Sequence, residues 1–492
     1  MKKKIGKAIL FLACLSCTLY LVNGIVKFEY VLGENTFSEF YEQKRNSVDV
    51  MFFGTSVMYF STSPAVLWDN YGIAAYDLGS PAQPLWTTYY YMKEALKYQK
   101  PKVMAIECYE VTKQSEYGND MTQVKSISGM RLSENKWDLI CASVPKEERM
   151  RMLLGFPNYH NRYAELEKKD FTKFPWNEEE HFYKGAMEFE PSVEAFTWNG
   201  VSDSEETLEL APKVEEYYEK IIELAEENDI ELIFYTLPHC FFSEEDMLYN
   251  NKAKEIATEH GVPFLECYKK IDEIGIDFQT DTVDGKHLNA YGAEKFSKYL
   301  GKYLKEHYEI RDRRGDENYI SWDNCSNLWN HGLLNDQLQK VDYASAYLDI
   351  VTQMYQKEYT IVMNVKGDKA FVNMDADSKD AYTAMGISDE ALSTSGLIVV
   401  QDGVLKNYTT DEAYQHMIKL ADGEKIEIIK DAADAVPVIN YNDTDYNYAE
   451  DGISIFVYDD LLKEYVSAAF FRSNNAMLLN RVVLEEEVDS NW

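Results

Sequence analysis

Residues 48–56, VDVMFFGTS, carry the clearest fold signal in the chain. The apolar, β-rich run predicts a strand that ends at Gly54, and a serine follows two residues later. Ser63 and Pro64 then form a helix start, and Gly72 is placed to end that helix. The segment therefore predicts a strand, a turn and a helix in that order.

The alternation of strands and helices continues to about residue 305. Further apolar runs predict strands at Ile73–Leu78, Lys102–Cys108, Ile230–Leu237 and Val262–Cys267. Helical spacing predicts helices at Pro84–Lys100, Lys213–Glu227, Ala253–His260 and Ala290–Lys305. Elements in this order predict an α/β fold, in which a parallel sheet is covered by helices on both faces and ligands bind at the carboxyl ends of the strands.

The N-terminus carries a membrane signal. Four lysines within the first seven residues precede Ala8–Val26, a run of 19 residues without a charged side chain. About 20 apolar residues span a bilayer as a helix. The positive-inside rule keeps the lysines cytoplasmic, so we predict a single-pass protein of the cell membrane whose bulk is extracytoplasmic. Cleavage after Gly24, as in a signal peptide, is the alternative to an uncleaved anchor.

Length and charge predict the domain count and exclude one class of partner. The 492 residues predict at least two domains. A net charge of −35, from 84 acidic and 49 basic residues, repels phosphate backbones, so nucleic acid is not an expected partner. We predict an N-terminal segment at 1–29, an α/β domain at 30–310 with an insertion at about 113–198, and, after a charged linker at 306–318, a mostly β accessory domain at 318–492.

No metal or cofactor is predicted. The seven cysteines are scattered, and the one Cys-x-x-Cys pair, Cys14 and Cys17, lies in the apolar N-terminal run. The acidic stretch 373–380 has neither the glycine nor the bidentate glutamate of a calcium loop. A solvated acidic turn is the structure we expect there.

Two distant segments carry the candidate chemistry. Ser56 follows the first strand, at a turn that presents a hydroxyl and backbone amides at the edge of the sheet. Most such serines only cap a helix or form a turn. Near the other end of the α/β region, however, Asp284 precedes His287 by three residues, just before the last helix. A nucleophilic serine needs a base and the base needs an orienting carboxylate, so these three residues supply the roles of a catalytic triad.

These motifs resemble those of SGNH (GDSL-type) hydrolases. The resemblance covers about residues 48–305 and rests on Gly-Thr-Ser at 54–56, Asp-Leu-Gly-Ser at 77–80 and Asp-x-x-His at 284–287. The chain is similar especially to the membrane-anchored bacterial branch of the family, in which the block at 80–91 would recur.

The resemblance implies a role for each residue. Ser56 would be the nucleophile, His287 the base and Asp284 its partner, on an SGNH/flavodoxin-like sheet. The backbone amides of Ser56 and Gly79 would contribute to the oxyanion hole. The family's third block, Gly-x-Asn-Asp, is absent, because the third strand runs into Glu107. A third donor to the oxyanion hole is therefore not identified.

Four more residues are candidates for substrate binding. His160 and Arg162 fall in the insertion, where they could hold an anionic or sugar substrate or belong to an ordinary surface loop. His239 and Glu107 each stand at the carboxyl end of a predicted strand, where a side chain can line a pocket or simply pack.

Residues 318–492 contain no catalytic constellation. Their strand pattern at 451–471 faintly resembles the interleukin-like EMT inducer fold, a β-rich module. We interpret this domain as a binding or positioning module.

Two functions remain open from the sequence. The first is an extracytoplasmic serine esterase or O-acyltransferase, with acetyl as the expected group, that acts on a cell-surface glycan or another acylated substrate through an acyl-serine. A membrane-bound O-acyltransferase is a candidate partner if the reaction is acyl transfer. The second function is that of a catalytically silent SGNH-like protein, which binds glycan or serves as a scaffold in the cell envelope.

Overall fold

The computed structural model describes residues 2–26, 35–108, 116–117, 120–155, 163–166, 168, 171, 183–367, 374–393, 396–401, 403–408, 413–420, 423–430, 438–446, 451–473 and 475–481. The chain divides into two compact units, Met1–Trp329 and Asn330–Trp492. The sequence places the start of the second domain at residue 318, whereas the two units divide after Trp329.

The charged run 306–318 lies in the first unit and is bonded to it. The Arg313 guanidinium donates to both carboxylate oxygens of Asp49, at 2.9 and 2.7 Å. The Arg313 amide donates to the carbonyl oxygen of Gly72 at 3.0 Å. A bidentate arginine–carboxylate pair fixes geometry as well as contributing energy. The run therefore packs against the start of β1 instead of forming a free linker.

The first unit is built on a parallel sheet. Its strands are β1 Val50–Phe53, β2 Ala75–Asp77, β3 Val103–Glu107, β4 Glu231–Thr236 and β5 Phe264–Glu266. Their order across the sheet is β2-β1-β3-β4-β5, and every neighbouring pair is parallel. All residues of β1, β2 and β3 are buried, and strands buried on both faces read as continuous apolar runs in the sequence.

Helices cover both faces of this sheet. The described helices that begin in this unit are α1 Lys2–Val26, α2 Asn35–Glu42, α3 Ser56–Ser61, α4 Pro64–Tyr71, α5 Leu85–Ala95, α6 Asp120–Ser128, α7 Glu134–Ser143, α8 Arg149–Leu154, α9 Pro212–Glu227, α10 Glu244–Glu259, α11 Ile271–Ile274, α12 Ala290–His307 and α13 Ile320–Lys340, and α13 ends in the second unit. Met51 and Phe53 pack with α2, α5, α9 and α10 on one face. Val50 and Phe52 pack with α3, α4 and α12 on the other. The predicted parallel sheet with helices is therefore present.

Helix α1 is long and apolar enough to cross a membrane over the 23 residues Lys4–Val26. Leu10 and Phe11, near its middle, are 65% and 66% exposed, so the helix presents apolar side chains outward. A signal sequence meets the same criteria of length and composition. The orientation of the chain in a membrane therefore stays a prediction.

The second unit is an antiparallel β region with helices. The strands are β6 Tyr359–Lys366, β7 Gly396–Gln401, β8 Val404–Tyr408, β9 Tyr414–Lys419, β10 Lys425–Lys430, β11 Val438–Tyr441, β12 Thr444–Asp445, β13 Gly452–Asp459, β14 Glu464–Arg472 and β15 Asn475–Arg481. They form a sheet of order β15-β14-β13-β6-β7-β8 and a second of order β12-β11-β10-β9. Helices α14 Ala344–Met354 and α15 Ala376–Ala384 pack on one face of the larger sheet, and the smaller sheet packs on the other.

Candidate active site

Ser56 begins α3, directly after the turn that ends β1. Thr55 is the N-cap residue, and its hydroxyl oxygen accepts a hydrogen bond from the Val57 amide at 3.2 Å. Gly54 allows the turn to lie close to β3, because a Cβ atom there would be 2.6 Å from the Cβ of Glu107. The sequence Gly-Thr-Ser thus supplies close packing, a helix cap and a hydroxyl at the end of a central strand.

Asp284 and His287 lie in a loop, just before α12, that is held by its own hydrogen bonds. The Thr282 hydroxyl donates to the His287 carbonyl oxygen at 2.9 Å. The Gly285 amide donates to that same hydroxyl at 2.7 Å. Asn289 caps α12 by accepting hydrogen bonds from two amides of its first turn. The loop is therefore fixed both within itself and at the start of the helix.

The structure brings Ser56, His287 and Asp284 together. Ser56 Oγ lies 2.8 Å from His287 Nε2, and His287 Nδ1 lies 2.8 Å from Asp284 Oδ2. The other oxygen of Asp284 accepts from the amides of His287 and Lys286, at 2.8 and 3.0 Å. In the tautomer whose Nδ1–H donates to Asp284, Nε2 can accept the serine proton.

Asp284 is held in its ionised form. Partial burial raises its pKa, but hydrogen bonds from the His287 amide, the His287 ring and the Lys286 amide lower it by more. The net pKa of this carboxyl is below its ordinary value. An ionised carboxylate here orients the imidazole and stabilises the imidazolium that forms when the ring takes a proton.

The amides of Ser56 and Gly79 lie at the carboxyl ends of adjacent strands. The Leu78 amide donates to the Phe52 carbonyl oxygen at 2.8 Å, and the Ser80 amide donates to the Gly54 carbonyl oxygen at 3.3 Å. Gly79, between these two contacts, has no room for a side chain, because a Cβ would lie 2.9 Å from the Gly54 oxygen. Among the residues that the structure describes, no hydrogen-bond acceptor is seen for either amide. Within the described part of the chain, both amides are therefore open to an oxygen atom of a ligand.

Two aromatic residues of α3 frame the serine and the imidazole. The Tyr59 side chain is buried, and this burial raises the pKa of its phenol, while the nearby Ser56 side chain lowers it. The Phe60 ring lies 4.6 Å from the His287 ring, between ring centroids. These contacts restrict the positions of both the hydroxyl and the imidazole.

An extended segment, residues 187–196, runs along the site at the end of the predicted insertion. The Met187 amide donates to the Tyr59 carbonyl oxygen at 2.8 Å, and the Glu194 amide donates to the Thr282 carbonyl oxygen at 3.0 Å. Phe196 packs its ring against Gly285, where φ is +74° and a Cβ would lie 2.7 Å from the ring. The segment thus connects the helix of Ser56 to the loop of His287.

Of the four residues predicted to bind substrate, two are buried at or just beyond strand ends and two lie outside the described residues. Glu107 is fully buried at the end of β3, and its carboxylate accepts from the Thr55 amide and hydroxyl. His239 is also buried, and its Nδ1 accepts from the Phe241 amide at 3.1 Å. His160 and Arg162 lie outside the described residues. Within the described part of the chain, no group of three His, Cys, Asp or Glu side chains is arranged to hold a metal ion.

Sequence reasoning missed three contributors to the site. Thr55 has the signal of an N-cap residue, since threonine is preferred directly before a helix. Phe60 stands four residues after Ser56, which places both on one face of a helix. Residues 187–196 have no helical or strand period, so no sequence signal marks their path along the site.

Comparison with known proteins gives few matches. No family model matches the chain, and no curated protein matches it. A solved structure of a presumed acylhydrolase from Bacteroides fragilis NCTC 9343 aligns with 57% of this chain and 99% of its own, at 12% identity and a TM-score of 0.30. Zn(II)-bound AdcA from Streptococcus pneumoniae aligns with 87% of this chain and 92% of its own, at 11% identity and a TM-score of 0.14. At these scores neither likeness defines a fold or a function for the chain.

Proposed function

We propose that this chain is an extracytoplasmic serine esterase or O-acyltransferase of the SGNH type, with a cell-surface glycan as its substrate and acetyl as its acyl group. The observation that carries the proposal is the hydrogen-bonded series Ser56, His287, Asp284 at the carboxyl edge of a parallel sheet. The strand order β2-β1-β3-β4-β5, which is that of flavodoxin-like sheets, supports the SGNH type.

The first half-reaction acylates the serine. His287 Nε2 takes the proton of Ser56 Oγ as that oxygen attacks the carbonyl carbon of the ester. The amides of Ser56 and Gly79 donate to the carbonyl oxygen as it gains negative charge. His287 then gives its proton to the departing alcohol oxygen, and the acyl group stays on Ser56.

The second half-reaction removes the acyl group. His287 takes a proton from an attacking water or sugar hydroxyl, and Ser56 leaves with its proton restored. Water completes ester hydrolysis, whereas a glycan hydroxyl completes acyl transfer. For transfer, we propose a membrane-bound O-acyltransferase as the partner that supplies the acyl group, because α1 would hold the catalytic unit at the membrane surface.

One observation favours the competing function, a silent glycan-binding or scaffold protein. Glu107 stands where the third block of SGNH hydrolases has an asparagine donor. Glu107 Oε2 accepts from the amide and hydroxyl of Thr55, so this oxygen cannot replace that donor. The esterase proposal then relies on two backbone amides for the oxyanion.

A single experiment separates these functions. Full-length protein in detergent is incubated with a chromogenic acetyl ester, with and without an acceptor glycan, beside Ser56→Ala. Turnover that needs Ser56 supports the enzyme, and acetylation of the added glycan identifies a transferase. Absence of turnover on acetyl and longer acyl esters, together with retained glycan binding, would support the silent protein instead.

A further inference from the structure

We propose that Glu107 is a positioning residue for the catalytic serine, and that its buried carboxylate fixes the turn before Ser56 by holding Thr55. Glu107 Oε2 accepts from the Thr55 hydroxyl at 3.0 Å and from the Thr55 amide at 3.3 Å. The Glu107 side chain is completely buried. The inference rests on the proposed function, because a turn positions a nucleophile only if Ser56 reacts.

The bonds around Thr55 have a defined direction. A hydroxyl has one proton to donate, and the Thr55 hydroxyl donates it to Glu107 Oε2, which also accepts from the Thr55 amide. The lone pairs of the hydroxyl are then free to accept from the Val57 amide, at 3.2 Å. Of the three consecutive amides in this turn, the two outer ones are occupied by the Glu107–Thr55 pair. The central amide, that of Ser56, is the one left to face a ligand oxygen.

Glu107 has a rigid support. Phe53 pairs with Ile106 in the parallel register of β1 and β3, so Glu107 is carried beside Gly54. On its other side Glu107 pairs with Tyr235 of β4. Gly54 completes the arrangement, because a Cβ there would lie 3.1 Å from Glu107 Oε2 and 2.6 Å from its Cβ. The turn is thus held from a central strand, and sites on strands are more precise than sites on loops.

The effect on catalysis follows from geometry. Attack by Ser56 needs its oxygen near the carbonyl carbon and its amide near the carbonyl oxygen at the same moment. A displacement of about 1 Å in such a site can cost about 100-fold in rate. Loss of the Glu107–Thr55 contact releases Thr55, the residue before the serine, and the hydroxyl that accepts from the Val57 amide. We therefore expect a lower rate of serine acylation with little change in reagent binding.

The test measures fluorophosphonate labelling of Ser56 in the full-length protein. The labelling rate at saturating reagent, the reagent concentration at half that rate, and the melting temperature are determined for each variant. Glu107→Leu removes both bonds to Thr55, whereas Thr55→Val removes the hydroxyl bond to Glu107 and the oxygen that caps the Val57 amide. Each variant should lower the saturating rate about 10- to 100-fold. Glu107→Gln keeps an acceptor oxygen and Thr55→Ser keeps the hydroxyl, so both should stay within about threefold of wild type.

Controls separate positioning from folding. Glu94 is another buried carboxylate, bonded to Tyr41, Lys97 and Asn135, and Glu94→Gln should leave the labelling rate of the folded protein unchanged. The loss in the double variant Glu107→Leu/Thr55→Val should be smaller than the product of the two single losses, because both substitutions remove the bond between the Thr55 hydroxyl and Glu107. If Glu107→Leu does not fold, Thr55→Val against Thr55→Ser provides the same comparison.

Three results would overturn the positioning role of Glu107. Wild-type labelling rates in folded Glu107→Leu and Thr55→Val would overturn the positioning role and leave the proposed function intact. A Glu107→Gln variant as slow as Glu107→Leu would also overturn it, since the charge and not the contact would then matter. A wild-type protein that is not labelled at Ser56 would overturn the proposed function and this role together.

Discussion

The indole N–H of Trp322 donates a hydrogen bond to the carbonyl oxygen of Ala75 in β2, at 2.9 Å. The Trp322 side chain is buried, and the Lys184 ammonium lies 4.3 Å from the centroid of its ring. The parallel sheet is thus supported by chain that follows α12. A protein that ends at Lys305 lacks this contact and the Arg313–Asp49 pair.

We expect Trp322→Phe to lower the free energy of unfolding by about 1–3 kcal/mol, because it leaves the Ala75 oxygen buried without its donor. Urea unfolding of the full-length protein in detergent, followed by near-ultraviolet circular dichroism, gives this value. Trp137→Phe, at a partly exposed position of α7, is the matched control and should change stability by less than about 0.5 kcal/mol. Equal stability of the two variants would contradict the role of the Trp322 contact.

The catalytic roles predict non-additive losses. Ser56→Ala should remove essentially all activity, because no acyl-enzyme can form without the oxygen. His287→Ala and Asp284→Asn should lower kcat by about 10³- to 10⁶-fold, and the triple variant should be little worse than Ser56→Ala. Ester hydrolysis measured for all four proteins checks this. Additive losses would mean that the three side chains do not act as one unit.

Gly79→Ala should damage the site through crowding. The new Cβ would lie 2.6 Å from Met58 Cε and 2.9 Å from the Gly54 carbonyl oxygen, and the backbone oxygen cannot move cheaply. We expect at least a tenfold loss of kcat and a loss of about 1–3 kcal/mol in stability. Gly261→Ala, where φ is +70° and the space is open, carries only backbone strain and should keep wild-type kcat. Unchanged kcat in Gly79→Ala would exclude this amide from the oxyanion hole.

The raised pKa of the Glu39 carboxyl is expected to make the stability of the protein depend on pH. Burial raises the pKa of its carboxyl from 4.5 to about 7, although Lys184 and the amides of Gly185 and Lys184 oppose the shift. The folded state therefore holds this proton more tightly than the unfolded state. Its contribution is complete below pH 4.5 and is lost as the pH rises through 7, for a total of about 3 kcal/mol.

The Glu39→Gln variant isolates this contribution. Between pH 4.5 and 7, the unfolding free energy of the wild type should fall relative to that of Glu39→Gln. Above that range the difference between the two proteins should stay constant. Glu134→Gln, at an exposed position in the first turn of α7, should give a much smaller pH-dependent difference. Parallel pH profiles of the wild type and Glu39→Gln would show that Glu39 titrates normally.

The orientation predicted for α1 is open to a direct measurement. Protease added to intact cells should digest the chain beyond residue 30, because the lysines before α1 favour the cytoplasm. Immunoblotting against the second unit follows the digestion, with a cytoplasmic protein as the control for lysis. Protection in intact cells and digestion only after lysis would reverse the orientation.

The sheet of the first unit could be predicted well because its strands are buried on both faces. Runs such as Lys102–Cys108 therefore stand out as continuous apolar segments, and the strand found there is Val103–Glu107. The sequence predicts helix α10 only from Ala253, whereas the helix begins at Glu244 after a capping box formed by Ser243 and Asp246. The first turns of that helix are polar, so the spacing of apolar residues does not mark where the helix begins.

Helix α13 could not be predicted in this way. Its buried positions include polar residues, among them Ser326, His331 and Asn335, so no continuous apolar stripe marks the helix. The same limit applies to the site. Because the carboxyl ends of parallel strands meet at one edge of the sheet, the sequence predicts that Ser56 lies near the ends of other strands. The contact of Glu107 with Thr55 depends on the register of β1 and β3, which the spacing of residues does not specify.

The pairing of Ser56 with His287 joins residues that are 231 positions apart in the chain. Strand β1 directly precedes Ser56, and the other four parallel strands lie between Ser56 and His287 in the chain. The imidazole therefore reaches the hydroxyl only when the sheet is assembled. A partly synthesised or misfolded chain therefore carries an ordinary, unreactive serine. Covalent labelling of Ser56 would then count folded molecules, and could report the quality of the folded population in intact cells.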